Sequence, residues 1–138
     1  MPTESRPLSP AEQLLWSYGC RKPEHIDLEA IANDKGARVV YRCMDGCAAR
    51  LVADGAAGAI ISVEARDNEG RQRFSLGHEL AHLINDAKKA SFKCADDQIG
   101  PQDAGAQSVE AAANFYASQL VLPDYMSLFQ FRYEPGAA

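Results

Sequence analysis

No run of apolar residues in this chain approaches the roughly 20 that a helix needs to cross a bilayer. Nor is there an excess of basic residues. Fourteen Lys and Arg stand against nineteen Asp and Glu, for a net charge of −5. The cations are scattered apart from Lys88 and Lys89. A nucleic-acid surface needs clustered positive charge to meet phosphates, so direct nucleic-acid binding is not expected. The first residues, "MPTESRPLSP", carry no apolar stretch behind a positive end, and so do not read as a signal peptide. With neither a signal peptide nor a membrane span, the expected compartment is the cytoplasm. Cysteine is sparse, at four residues in 138. In a reducing compartment Cys20, Cys43, Cys47 and Cys94 are expected to be mostly free thiols, not a disulfide frame.

What is present is an ordinary globular balance: 46% hydrophobic and 24% charged residues, in a length that suits one core. Residues 1–9 read as a flexible leader and 10–138 as a single domain. "SPAEQLLWSYG" is a helix with Ser9 as N-cap, Pro10 in the first turn and Gly19 at its end. "PEHIDLEAIANDKG" reads as a second helix with an apolar stripe of Ile26, Leu28, Ile31 and Ala32. "ARVVYRC", "AARLVAD" and "GAIISVEA" are short, rich in β-branched residues and separated by glycine-containing turns, and so read as three strands. Residues 85–107 read as a long loop, followed by the helix "SVEAAANFYASQLVLP" capped by Ser108 and a last short helix "DYMSLFQF". The expected fold class is α+β, with helices packed on a small, mostly antiparallel three-stranded sheet.

Histidine is also scarce, which gives weight to where it occurs. Two of the three histidines fall in "RFSLGHELAHLI", residues 73–84. Leu76, Leu80, Leu83 and Ile84 give that segment an apolar helical face. Residues four apart share a helix face, so His78 and His82 can bind one metal ion. Glu79, about 100° further round the helix, misses the metal but can reach a water beside it. This is the arrangement in which a carboxylate takes a proton from an activated water that attacks an amide. Two imidazoles do not hold zinc stably, so a third protein ligand is needed. Glu110 is the first candidate, on the alanine-rich helix; Asp86, Asp96, Asp97 and Asp103 also lie downstream. Asn114, one turn beyond Glu110, can orient a ligating imidazole through its other ring nitrogen. Ala113 and Ala117 leave room for the two helices to approach.

These segments resemble the ImmA/IrrE family of small bacterial metallopeptidases. The likeness rests on "RFSLGHELAHLI" and on Glu110, Ala113, Asn114, Ala117, Leu120 and Pro123 in "VEAAANFYASQLVLP". It extends upstream through "IDLEAIANDKGARVVY", covering about residues 10–126. Ala81 stands where many members carry glycine. The resemblance implies a zincin-like fold of the gluzincin type, with one zinc ion on His78, His82 and Glu110 and with Glu79 as general base. It also implies a cytosolic regulatory protease whose substrate is a partner repressor of the helix-turn-helix class.

Other polar residues give further candidates. Cys43, Cys47 and Cys94 read either as idle thiols or as a redox or secondary metal site. Arg73, Tyr116 and Tyr125 are candidate donors to a tetrahedral intermediate, with Tyr116 turned to another side of its helix from Asn114. His25 is expected to make local contacts. The competing function class is a zinc-stabilised module that sequesters a DNA-binding partner without cutting it.

Overall fold

A computed structural model describes residues 7–54, 58–85 and 104–126. Its elements run α1 (Pro10–Ser17), α2 (Leu28–Asp34), β1 (Ala37–Arg42), β2 (Ala49–Asp54), β3 (Gly58–Glu64), α3 (Glu69–Asn85) and α4 (Ala104–Val121). This is an α+β fold of four helices and one three-stranded sheet.

The start of α1 follows from its first four residues. The Ser9 hydroxyl accepts the Glu12 N–H, and the Glu12 carboxylate accepts the Ser9 N–H at 2.9 Å, which closes a capping box ahead of Pro10. Glu12 is fully buried, and its second oxygen accepts the N–H of Tyr125 at 2.9 Å. One carboxylate thereby ties the start of α1 to the chain beyond α4. The second predicted helix is divided. Pro23–His25 form a single 3-10 turn, Ile26 and Asp27 are extended, and α2 begins at Leu28 with the Asp27 side chain accepting the Ala30 N–H. An aspartate offers the backbone a cap more readily than it continues a helix, so the break falls there.

The sheet is mixed rather than mostly antiparallel, and its order is β1-β3-β2. β2 and β3 form an antiparallel pair, from Ala49 opposite Val63 to Asp54 opposite Gly58. β1 lies parallel to β3, from Ala37 beside Ala59 to Arg42 beside Glu64. Residues 43–48 therefore cross the end of β3 instead of making a tight turn between neighbours. Glu64 fixes that crossing: its carboxylate accepts the Met44 N–H at 2.8 Å and is gripped by the Arg66 guanidinium, which also donates to the Met44 carbonyl. Gly58 opens β3 at φ 94°, and a Cβ there would stand 2.7 Å from the Gly36 carbonyl oxygen, so only glycine fits.

Alternation along the strands turns Ala49, Leu51, Ala59, Ile61 and Val63 onto the helix-covered face. Leu15, Ile31, Leu76, Leu80 and Leu120 meet them from the helices. α3 lies on β2 and β3, α4 on α3, and α1 on α4. α4 begins at Ala104, four residues before the expected Ser108 cap. Pro123 is buried, and the Met126 N–H returns to its carbonyl in one further helical turn; the rest of the last expected helix lies outside the described residues. Among the described residues, no helix is long and apolar enough to cross a membrane.

Candidate metal centre

Every residue from Ser75 to His82 in α3 is buried, so this stretch of helix is sandwiched between the sheet and α4. Leu76 and Leu80 face the core, and His78 and His82 face α4 at 3% and 6% exposure. Two imidazoles at that depth need polar partners, because a buried ring nitrogen without one loses its hydration uncompensated. α4 supplies them.

Close helix packing brings the partners within reach. Gly77 abuts Ala117, where an added Cβ would lie 3.4 Å from the Ala117 Cβ, and Ala113 and Ala117 are buried in the same seam. One turn along this seam, the Glu110 carboxylate comes between the two rings. Its Oε1 lies 2.8 Å from His78 Nε2 and 3.2 Å from His82 Nε2, and the two Nε2 atoms are 3.2 Å apart. Behind His78, Nδ1 donates to Asn114 Oδ1 at 2.8 Å.

That last hydrogen bond decides the chemistry. With its proton on Nδ1, a neutral His78 presents a lone pair at Nε2, facing a carboxylate lone pair. The contact becomes attractive with a metal ion between them, or with a second proton on the ring. Ligand bonds of about 2.0–2.1 Å arranged tetrahedrally set donor atoms about 3.3 Å apart, which two of the three separations approach. The donor set of two imidazoles and one carboxylate suits zinc chemistry. His78, His82 and Glu110 are the one cluster among the described residues with the spacing to hold a metal ion. Glu79, next to His78, is 3% exposed, and Glu110 keeps 21% side-chain exposure, so the cluster opens towards solvent on the α4 side.

The other candidates fall elsewhere. The Tyr125 hydroxyl donates to the Cys20 carbonyl at 2.7 Å. Arg73 lines a groove shared with α2 and Tyr41, and Tyr116 lines a cavity against α1. The His25 Nδ1 accepts the Arg21 N–H, a local contact as expected. Cys20 is a buried free thiol and Cys43 an exposed one. Cys47 is disulfide-bonded, so the expectation of reduced thiols fails at that position. Cys94, Asp86, Asp96, Asp97 and Asp103 lie outside the described residues. No local pattern announces the Glu64–Arg66 clamp, since two opposite charges two residues apart are common on any surface.

Comparison with known proteins agrees with this geometry. The profile of the IrrE N-terminal-like domain, a peptidase family, matches residues 32–132, which includes both histidines, Glu79, Glu110 and Asn114. No curated protein matches the chain.

Proposed function

The chain belongs to the IrrE N-terminal-like peptidase family, and on that premise we propose that it is a zinc-dependent endopeptidase of narrow specificity. The observation that carries the proposal is the convergence of His78 Nε2, His82 Nε2 and Glu110 Oε1, with Asn114 fixing the tautomer of His78. A zinc ion held at that point would supply a Lewis acid able to polarise a carbonyl and to bring the pKa of a bound water to about 7.

The remaining work belongs to the chain's own side chains. His78, His82 and Glu110 would hold the ion with three protein donors, which leaves it open to water or substrate. Glu79 follows His78 and points to an adjoining side of α3, where its carboxylate takes the proton from the attacking water and returns it to the leaving amine. Burial of α3 between sheet and α4 keeps bulk solvent from competing for these bonds. The substrate class we assign is a partner protein, a helix-turn-helix repressor, cut at one site in a regulatory step.

The test is to mix the purified chain with the product of a neighbouring gene, where that is a helix-turn-helix regulator, with and without a chelator. Fragments formed only in the metal-loaded reaction, and absent with Glu79→Gln, support the endopeptidase. An intact, stable complex with no fragments makes the chain a metal-stabilised sequestering module instead.

A further inference from the structure

The sheet has two faces, and the helices account for one. Alternation along the strands puts Val40 of β1, Val52 of β2 and Ile60 of β3 on the face opposite to Leu51 and Ile61. All three are half-buried, and none packs against the core cluster. β3 reads Ala59-Ile60-Ile61-Ser62-Val63, an apolar run broken by one serine, in a strand paired on both edges. Such a run, beside a parallel partner, marks a strand that is covered on both faces. Among the described residues, helices cover only the first of them.

The register decides what surrounds this apolar stripe. Arg38, Ile60 and Val52 form one row across the three strands, and Val40, Ser62 and Arg50 form the next. Arg42 follows beside Glu64, whose charge the Arg66 guanidinium already meets. The face therefore carries three arginines around a small apolar centre, in a chain whose net charge is −5. Arg38 and Arg42 are exposed, and no carboxylate pairs with either among the described residues. Ser62 stands in the middle of its row at 1% exposure, and its buried hydroxyl has no hydrogen-bond partner among the described residues. Buried hydroxyls are nearly always paired, and this one projects onto the face that the helices leave open.

We propose that this face docks an acidic, amphipathic helix of a partner protein. Three strands about 4.8 Å apart make a face about 10 Å wide, the width of one helix. A helix laid on a sheet is the ordinary way to bury such a surface. Apolar side chains of the partner cover Val40, Val52 and Ile60, and its carboxylates meet Arg38 and Arg42 at one edge and Arg50 at the other. An Arg50 guanidinium drawn outward by a carboxylate uncovers Ser62, directly opposite it, and the Ser62 hydroxyl then donates to the same carboxylate. The face lies across the sheet from α3 and its histidines, and does not depend on the chain being a peptidase.

The probe is a fluorescein-labelled peptide of about 18 residues, about 27 Å long as a helix, with leucine on one helical face and glutamate on the other. The same peptide with lysine for glutamate is its control. The full chain is expected to bind the glutamate peptide saturably, at one site and more weakly as salt is added, and to leave the lysine peptide free. Arg38→Glu and Arg42→Glu should each lower affinity by roughly three- to tenfold. Lys22→Glu, the same change of charge at an exposed position off the face, should leave it nearly unchanged. Ser62→Ala removes a hydroxyl without a partner in the free chain, so it should melt no lower than the parent while affinity falls by roughly two- to tenfold. Absence of saturable binding, equal binding of the lysine peptide, or full affinity in both arginine variants or in Ser62→Ala overturns the proposal. A parent chain that sediments as a dimer, with Arg42→Glu a monomer, gives the face to a second copy and overturns it too. So does tighter binding of a single-stranded oligonucleotide through the same arginines.

Discussion

His78 and Asn114 are 36 residues apart in the chain and meet through a 2.8 Å hydrogen bond from Nδ1 to Oδ1. This contact fixes which imidazole nitrogen is bare. Asn114→Ala frees the ring to rotate and to exchange tautomers, and is expected to weaken zinc binding by roughly 10- to 100-fold. Asn114→Asp keeps an acceptor and should restore most of the affinity. Competition titration against a chromogenic chelator measures both. Equal affinity in all three proteins would remove Asn114 from the site.

Glu79 adjoins a ligand without being one. Glu79→Gln should retain the metal content of the parent chain and lose cleavage of the partner by roughly 10²- to 10⁴-fold. Metal analysis alongside a gel assay separates the two effects. A variant that loses zinc together with activity would make Glu79 part of the ligand set.

The α3–α4 seam predicts a response graded by size at Gly77. An alanine Cβ would sit 3.4 Å from Ala117, an ordinary contact, and alanine favours the helix by about 1 kcal/mol over glycine. Gly77→Ala should therefore bind zinc normally and melt no lower than the parent. Gly77→Leu has no space against Ala117 and should push α4 away, taking Glu110 out of reach of the imidazoles. Calorimetric melting with zinc titration checks both. A Gly77→Leu protein with parental zinc affinity would show that the seam does not set the position of Glu110.

The Glu64–Arg66 clamp gives a pH dependence. Hydrogen bonds from the Arg66 side chain, the Arg66 backbone and the Met44 backbone pull the Glu64 carboxyl from its ordinary 4.5 down to about 2. A group whose pKa is depressed by folding adds stability above its unfolded value, and that stability is lost as pH falls through the folded value. Glu64→Gln should therefore melt below the parent at pH 7, and the gap should narrow below pH 4.5 and close near pH 2. A gap that does not change with pH would show that the carboxylate charge is not what holds residues 43–48.

The core behaves as close packing requires. Leu80 and Leu120 are fully buried, one on each helix that bears the site. Leu80→Ala or Leu120→Ala should each destabilise the chain by about 2–5 kcal/mol through the cavity left behind. Denaturant titration reads the loss, and a change under 1 kcal/mol, about the scale of a surface substitution, would contradict the packing.

Much of this site was legible because its signals are local or periodic. His78 and His82 stand one helical turn apart, and the apolar spacing of Leu76, Leu80 and Leu83 orients the helix that carries them. Ser9 and Pro10 announce α1 by the same kind of rule. Glu110 needed more: the small residues Ala113 and Ala117 hinted at close packing, but only the fold brings its carboxylate between the rings. The division before α2 was missed because the apolar stripe from Ile26 to Ala32 runs straight through Asp27, whose capping outweighed that periodicity. Strand order could not be read at all. "MDG" looks like a tight turn, and nothing local says that residues 43–48 pass over β3, held by a glutamate and an arginine from the strand's far end. The disulfide at Cys47 is likewise a tertiary fact, invisible in the spacing of four cysteines.

The central claim is that one metal ion sits among His78, His82 and Glu110. Anomalous diffraction at the zinc edge from crystals of the zinc-loaded chain tests it most directly. The account predicts one strong peak per chain, about 2.0–2.2 Å from both Nε2 atoms and a Glu110 oxygen, which vanishes in His82→Ala. A peak elsewhere, or none at this cluster in fully loaded protein, would contradict it.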